Sequence, residues 1–170
     1  MRFEGRCWRF GDNIPTDRLV KSRYVLEPMT EIVKHVLEDL NPAFPAEVAP
    51  GDIVVAGKHF GQSSGRAIAT KALRATGIGC VVAETFARTF YRNCFEVGLP
   101  ALEIDGIGGL ADDGDLVAVD VAAGTFTNLT TGLHRSVAPA DPFLLDMLAA
   151  GGLIKLAAVH PELFDPERAS

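Results

Sequence analysis

Two short apolar runs, separated by a glycine-rich loop and an amphipathic stretch, constrain the fold of this chain more than any other feature. The runs "GDIVVA" (residues 51–56) and "IGCVVAE" (78–84) have the continuous apolar character that is typical of strands buried on both faces. Between them, "GRAIATKALRAT" (65–76) predicts a helix that ends at Gly77. Residues 52–83 therefore predict a βαβ unit with parallel strands and a right-handed crossover.

The other elements follow from periodicity and turn residues. Asp141 and Pro142 are typical of an N-cap and a first helical position. From residue 102 onward, short strands broken by Gly and Asp predict antiparallel pairing. The predicted strands cover residues 1–10, 102–105, 115–121, 125–130 and 133–137, and the predicted helices cover 30–40, 85–97 and 141–150. We therefore expect one α/β domain over residues 1–170, with a parallel core and an antiparallel part.

Charge and cysteine content narrow the classes of function. The net charge of −6 argues against a nucleic-acid or anionic-membrane surface, because such surfaces are basic. No apolar run reaches the length of a membrane span. The three cysteines are odd in number and form no Cys-x-x-Cys pair, which favours reduced thiols in a cytoplasmic protein. The four histidines show no metal-ligand spacing, so we expect any metal to be held by another chain.

The loop "GKHFGQSSGR" (residues 57–66) has the composition of an anion site. It joins a strand to a helix N-terminus, where backbone N–H groups lack partners and the helix dipole favours negative charge. Ser63 and Ser64 supply hydroxyls, and the guanidinium of Arg66 suits a carboxylate or a phosphate. The alternative is that Ser64 is a simple N-cap and Arg66 a solvated side chain.

A second candidate stretch is "GDNIPTDR" (residues 11–18), directly after the first predicted strand. It places two aspartates, an asparagine and a threonine in one turn. As a turn it needs no further explanation, because Asp and Asn side chains bond their own backbone.

Four motifs in order make the chain resemble a known family: "GDNIPTDRLVKSRY", "PGDIVVAGKHFGQSSGR", "AETFARTFYRNCFEVGLP" and "LAAGGL". They are similar to those of 3-isopropylmalate dehydratase small subunits, the free-standing swivel domains of the aconitase family. The resemblance implies a swivelling three-layer β/β/α domain with one mainly parallel and one antiparallel sheet. It also implies a cytoplasmic hydro-lyase of leucine biosynthesis that is active only with a large subunit, whose cysteines hold a 4Fe–4S cluster. Its substrate would be a small 2-hydroxy carboxylic acid, and self-association of the isolated chain is compatible with the resemblance.

The resemblance also implies roles for single residues. Ser64 matches the family's catalytic base, and Arg66 matches the arginine that grips the substrate. Thr16 and Asp17 match the Thr-Asp of the first motif, where Asp17 would position or balance a catalytic group on the partner. An alkoxide at Ser64 would need stabilisation by the helix N-terminus and by Arg66.

The loop departs from the family pattern at several positions. Gly65 stands where the family has a second serine, so a hydroxyl donor is lost from the substrate site, and Ser63 could replace it. Ala67 stands in place of a glutamate and His59 in place of an asparagine, and Gln62 is also unusual. A loop histidine such as His59 is more simply a hydrogen-bonding turn residue.

Substrate specificity is expected in the segment Arg23–Met29. Arg23 and Tyr24 would contact the substrate, and Val25 and Leu26, together with Met29, could form an apolar wall for an alkyl group. The alternative is that these side chains pack against the following helix.

Two other functions stay open at this point. The chain could serve as the paralogous small subunit of an enzyme for homoaconitate or a methylated malate. It could also be a non-catalytic anion-binding or interaction module that kept the fold, as Gly65 and Ala67 would suggest.

Overall fold

A computed structural model describes residues 1–63 and 65–164 of the chain. Seven strands form one hydrogen-bonded sheet in the order β4-β3-β2-β1-β5-β6-β7. The strands are β1 (Arg2–Arg9), β2 (Ile53–Ala56), β3 (Cys80–Ala83), β4 (Ala101–Glu103), β5 (Leu116–Asp120), β6 (Thr125–Asn128) and β7 (His134–Ser136).

The helices lie between and after the strands of this sheet. Short 3-10 turns also occur. They lie at Ser22–Tyr24, Val33–His35, Ile107–Gly109 and Pro161–Phe164. The α-helices are α1 (Thr16–Leu19), α2 (Met29–Ile32), α3 (Phe44–Glu47), α4 (Ile68–Ala75), α5 (Arg88–Val97), α6 (Pro142–Ala150) and α7 (Leu153–Val159).

The predicted βαβ unit is confirmed. Strands β2 and β3 pair in parallel, with Ile53 opposite Cys80 and Ala56 opposite Ala83. Every residue of both strands is buried, which explains why the two runs are continuously apolar. Helix α4 connects them and buries Ala72 and Leu73 against the core.

Strand β1 joins the parallel and antiparallel parts of the sheet. Its C-terminal half pairs in parallel with β2, with Cys7 opposite Ile53, while its N-terminal half pairs antiparallel with β5, with Arg2 opposite Asp120. Strands β5, β6 and β7 continue the antiparallel part. The predicted α/β class, with a parallel and an antiparallel portion, is therefore confirmed, and the shared strand makes the two portions continuous.

The prediction that residues 102–105 belong to the antiparallel part was wrong. Strand β4 pairs in parallel with β3, with Val81 opposite Ala101. Helix α5 carries the chain back across the sheet between β3 and β4, so the second strand enters in the same direction as the first.

The prediction of one helix over residues 30–40 was also wrong. Helix α2 ends at Ile32, a 3-10 turn follows, and Leu37 has a positive φ of 58° that no α-helix contains. Ile32, Val36 and Leu37 are nevertheless buried. The spacing of Ile32, Val33, Val36, Leu37 and Leu40 predicts one apolar face, but Val33 and Leu40 are only partly buried, and turns rather than a helix place the other three in the core.

Other helix boundaries differ from expectation by a few residues. Helix α4 begins at Ile68 rather than at residue 65, and helix α5 begins at Arg88 rather than at residue 85. Helix α6 begins as predicted, because the Asp141 carboxylate accepts a hydrogen bond from the backbone N–H of Phe143 across 2.8 Å.

No single helix in the described part of the chain is long and apolar enough to cross a membrane. Helices α6 and α7 together have the length and apolar composition of a membrane span, but an 88° bend separates them.

Candidate functional site

The candidate site lies at the edge of the sheet where the parallel strands β1, β2 and β3 end. Their following loops cover residues 10–15, 57–67 and 84–87. Carboxyl ends of parallel strands share one edge of a sheet, where open α/β folds commonly bind ligands. The two sequence stretches singled out as candidates are the first two of these loops.

Backbone hydrogen bonds join the first loop to the glycine-rich loop. The N–H of Gly61 donates to the carbonyl oxygen of Ile14 across 2.8 Å, and the N–H of Thr16 donates to the carbonyl oxygen of Gln62 across 2.9 Å. A parallel bridge pairs Pro15 with Gln62. The two loops thus continue the pairing of β1 with β2 beyond the ends of the strands.

The glycine-rich loop is held equally on its other side, by the loop after β3. The N–H of Phe60 donates to the carbonyl oxygen of Thr85 across 3.0 Å, and the N–H of Ala87 donates to Phe60 across 2.9 Å. The N–H of His59 donates to the Thr85 hydroxyl across 2.9 Å. His59, with a φ of 58°, is thus a hydrogen-bonded turn residue through its backbone.

Two glycines of the loop are required by close approaches. Gly61 has a φ of 81°, and a Cβ there would lie 2.1 Å from the ring of Phe90. At Gly57 a Cβ would lie 1.8 Å from the Asp12 carboxylate, which accepts a hydrogen bond from the N–H of Lys58 across 2.8 Å. The glycines therefore allow the loop to pack tightly between its two neighbours.

A cavity of about 250 Å³ opens beside this loop and brings several predicted site residues together. One part of its lining is polar and the other is apolar, so it can accept a ligand with both characters. The polar side chains are Thr16, Asp17, Ser22, Ser63 and Arg66, and the apolar ones are Val20, Val25 and Ile68.

Helix α1 supplies Thr16 and Asp17 to the cavity. Thr16 is buried, and its backbone is fixed by the hydrogen bond to Gln62. Asp17 lies in the first turn of the helix and is exposed, so its carboxylate stands at the mouth of the cavity. The structure thus brings the Thr-Asp pair next to the loop that carries Arg66, 49 residues later in the chain.

The glycine-rich loop supplies Ser63 and Arg66, both exposed. Ser63 has a φ of 84°, an uncommon conformation for a residue other than glycine. Arg66 precedes helix α4, whose N-cap is Ala67, so it is not part of the first helical turn as predicted. Ser64, the predicted base, lies outside the described residues.

Asn93 was missed by the sequence reasoning. It is buried on helix α5, and its side-chain N–H donates to the carbonyl oxygen of Gly65 across 3.1 Å. It therefore fixes the backbone beside Arg66. The signal that could have found it is a polar residue at helical spacing among the apolar residues Phe90, Cys94 and Phe95, which are buried as well.

Part of the predicted specificity segment lies away from the cavity. Leu26 is 94% exposed and does not line it. Met29 packs against the core and lines a different groove. Arg23 and Tyr24 contact each other and residues 35–38, so of this segment only Val25 joins the predicted cavity residues.

The cysteines do not fit an iron–sulfur cluster. Cys7, Cys80 and Cys94 are free, buried and on three different elements. Burial, reinforced by the carboxylates of Asp113 and Asp115, raises the pKa of Cys7 to about 12, and burial raises that of Cys80 and of Cys94 as well. Cluster ligation needs thiolates. Among residues 1–63 and 65–164, no group of three His, Cys, Asp or Glu side chains could hold a metal ion.

Known proteins resemble this chain over most of its length. The 3-isopropylmalate dehydratase small subunit of Nautilia profundicola is 45% identical over 154 residues, which cover 90% of this chain and 92% of that protein. The isopropylmalate/citramalate isomerase small subunit of Methanocaldococcus jannaschii is 43% identical, with 89% and 90% covered. A crystal structure of a 3-isopropylmalate dehydratase from M. jannaschii superposes with a TM-score of 0.89 at 30% identity, covering 96% of this chain and 97% of that one.

Residues 21–106 match the model of the aconitase C-terminal domain. This segment includes the glycine-rich loop, both strands of the βαβ unit and the segment that carries Val25. The chain therefore belongs to the aconitase C-terminal domain family.

Proposed function

We propose that this chain is the small subunit of a 3-isopropylmalate dehydratase, a hydro-lyase that interconverts 2- and 3-isopropylmalate. The observation that carries the proposal is the cavity, whose lining combines the polar side chains of Thr16, Asp17 and Arg66 with the apolar side chains of Val25 and Ile68. The names of relatives 43–45% identical over about nine-tenths of the chain support the same activity.

The cavity suits a substrate that is both anionic and branched. The guanidinium of Arg66 presents N–H donors in a planar fork that matches a carboxylate. The apolar side chains of Val20, Val25 and Ile68 offer a surface on which an isopropyl group can be removed from water. In this arrangement Arg66 orients the acid and the apolar wall selects its alkyl substituent.

The dehydration step requires a base that removes the proton next to a carboxylate. We assign this role to Ser64 on the family resemblance. Arg66 would stabilise an alkoxide two residues away, and a dry site would strengthen that interaction because water screens charge. Asp17, at the mouth of the cavity, would position a catalytic group on the partner.

The large subunit is part of the proposal. Asp17 and Arg66 are exposed at the mouth of the cavity, so a second surface is needed to exclude water from the substrate. The iron–sulfur cluster is assigned to that subunit, because the three buried cysteines of this chain do not suit it, and none of the steps assigned to this chain involves it. We place the assembled enzyme in the cytoplasm.

A second candidate is a small subunit that acts on citramalate, a methylated malate. The relative named isopropylmalate/citramalate isomerase favours it. The two reactions differ only in the alkyl group that would contact Val20, Val25 and Ile68. Relative turnover of the two acids, with homoaconitate as a third, therefore distinguishes these candidates.

The test is anaerobic purification of the tagged chain from its native host, followed by assay of the copurifying complex. We expect an iron–sulfur partner and hydration of isopropylmaleate. Ser64→Ala should abolish turnover without preventing assembly. Arg66→Lys should lower kcat/KM by roughly 10- to 150-fold, the equivalent of about 1.5–3 kcal/mol for a charged hydrogen bond.

The matched control is Arg92→Lys, an exposed arginine on helix α5 that pairs with Glu96 across 3.2 Å. It should keep full activity, because exposed ion pairs contribute little. Copurification without turnover of any of the three acids would instead favour a non-catalytic interaction module. Full turnover by Ser64→Ala would overturn the assignment of the base.

A further inference from the structure

The segment Lys21–Val25 forms part of the cavity wall but has little local structure to hold it. Ser22 and Val25 line the cavity. Between them the backbone forms a single 3-10 turn, in which the N–H of Tyr24 donates to Lys21 across 2.9 Å and that of Val25 to Ser22 across 3.4 Å. One such turn is only marginally stable by itself, so contacts from elsewhere must fix its position.

Glu38 supplies such contacts from the next part of the chain, together with Asp39, whose Oδ1 lies 2.6 Å from Lys21 Nζ. Its Oε1 lies 3.1 Å from Lys21 Nζ and 3.5 Å from an Arg23 guanidinium nitrogen, so one carboxylate oxygen contacts both neighbours of Ser22. Its Oε2 lies 2.6 Å from His35 Nδ1. Only 22% of the Glu38 side chain and 29% of the Lys21 side chain are exposed, so this ion pair is screened less than a surface pair, whereas the Arg23 side chain is 63% exposed.

Glu38 stays ionised at neutral pH in this setting. Burial acts to raise its pKa, but the hydrogen bond from His35 and the adjacent charge of Lys21 outweigh burial and lower the pKa below its ordinary value. Its charge is therefore available to hold both cations.

Planar groups add further contacts among Arg23, Tyr24 and His35. The rings of Tyr24 and His35 lie 3.9 Å apart and nearly parallel, at 7°. The guanidinium of Arg23 also lies over the Tyr24 ring, 4.7 Å from its centroid, and donates to the Tyr24 hydroxyl across 2.8 Å. Arg23 and His35 thus both contact Glu38 and both contact Tyr24.

We propose that Glu38 is a positioning residue that holds Ser22 and Val25 against the substrate's alkyl group and thereby sets the enzyme's selectivity. This inference rests on the proposed function and deepens it. Arg23 and Tyr24, predicted to contact substrate, act in this scheme through the position of the cavity wall. Selectivity should depend on the wall, because one methylene in an apolar pocket changes kcat/KM by roughly 10- to 200-fold.

The test is Glu38→Gln in the assembled enzyme, with the ratio of kcat/KM for isopropylmaleate to that for its methyl analogue as the readout. We expect the ratio to fall by about tenfold through KM, with kcat changed far less, because the wall binds the alkyl group and does not react. Glu38→Asp keeps the charge and should recover part of the ratio. Glu31→Gln is the matched control, since Glu31 is exposed and pairs only with Lys34 of the neighbouring turn in the described contacts.

Hydrogen exchange of the isolated chain supplies a readout that does not depend on activity. The amides of Tyr24, Val25 and Glu27, which close the turn and its continuation, should exchange at least about fivefold faster in Glu38→Gln than in Glu31→Gln. Unchanged exchange at these amides would overturn the positioning role.

The outcomes separate the two proposals. If the wild-type enzyme is active and Glu38→Gln has the same selectivity as Glu31→Gln, only the positioning role is overturned. A wild-type complex that turns over no alkyl-substituted malate would overturn the proposed function, and with it the selectivity role. Loss of kcat with an unchanged ratio would also count against positioning, because it would point to a general structural defect.

Discussion

The backbone N–H of Thr16 donates to the carbonyl oxygen of Gln62 across 2.9 Å, and so joins the first loop to the glycine-rich loop at the candidate site. The two residues are far apart in the chain, yet this bond fixes the distance between the Thr-Asp pair and Arg66. Because the site is assembled from loops that share backbone hydrogen bonds, its geometry should be sensitive to small changes in loop packing.

The first prediction concerns Gly61. Replacement by Ala would place a Cβ 2.1 Å from the ring of Phe90 at a φ of 81°. The left-handed conformation costs about 1–2 kcal/mol and the forced repacking about 1–3 kcal/mol more. We expect Gly61→Ala to lose about 2–5 kcal/mol of unfolding free energy, measured by urea denaturation.

Gly132→Ala is the matched control. Gly132 has a nearly equal φ of 80°, but a Cβ there meets nothing within 4 Å. It should lose only the conformational cost of about 1–2 kcal/mol. Equal losses for Gly132→Ala and Gly61→Ala would show that the Phe90 contact does not constrain the loop.

The second prediction concerns Asn93, whose side chain donates to the carbonyl oxygen of Gly65 across 3.1 Å. Asn93→Ala should cost about 1 kcal/mol of stability, the usual net value of one hydrogen bond. The KM of the assembled enzyme should rise, and this rise, expressed as a free energy, should exceed the stability loss. The reason is that the backbone beside Arg66 loses its support. Thermal unfolding and steady-state kinetics measure the two effects.

Arg92→Ala, on the exposed side of the same helix, serves as the control for Asn93. It should leave both KM and stability within experimental scatter, since its ion pair with Glu96 is exposed. If Asn93→Ala lost stability and substrate affinity by similar free energies, the result would argue against a specific role of Asn93 in the site.

The third prediction concerns the pH dependence of stability through Cys7. Burial, together with the nearby Asp113 and Asp115, raises its pKa from 9.0 to about 12 in the folded chain. Above pH 9 the unfolded chain therefore releases the thiol proton while the folded chain keeps it. Stability from this thiol is fully present below pH 9 and is lost as the pH rises toward 12.

The slope of this loss is about 1.4 kcal/mol per pH unit for one thiol. Urea unfolding of wild type and Cys7→Ala between pH 8 and pH 10.5 measures it, and the wild type should show the steeper decline above pH 9. Parallel declines would mean that Cys7 ionises as readily in the folded chain as in the unfolded one.

The prediction of residues 30–40 shows why the sequence left part of the fold undetermined. The spacing of Ile32, Val36 and Leu37 correctly identifies buried side chains. Burial spacing does not by itself specify the backbone: the N–H of Leu37 donates to the carbonyl oxygen of Leu19, whereas an α-helix would pair it with the carbonyl four residues earlier. That contact joins distant parts of the chain, so no local pattern could indicate it.

The same distinction applies to the candidate site. The glycine spacing and the serines indicated the candidate loop, and the four ordered motifs indicated the family of the chain. The cavity shared by Asp17 and Arg66, the support of Gly65 by Asn93 and the contacts of Glu38 with Lys21 and Arg23 all join separate elements. Of the predicted specificity segment, the structure keeps Val25 at the cavity and leaves Leu26 exposed.

The sequence by itself determined the βαβ unit, the cap of helix α6 and the loop that requires glycine, because these depend on interactions within a few residues or on continuous burial. Only the tertiary structure decided the direction of β4, the turns after α2 and the set of side chains that line the cavity. Their physical basis is pairing between residues that are distant in the chain, and the local composition of the sequence carries no record of such pairing.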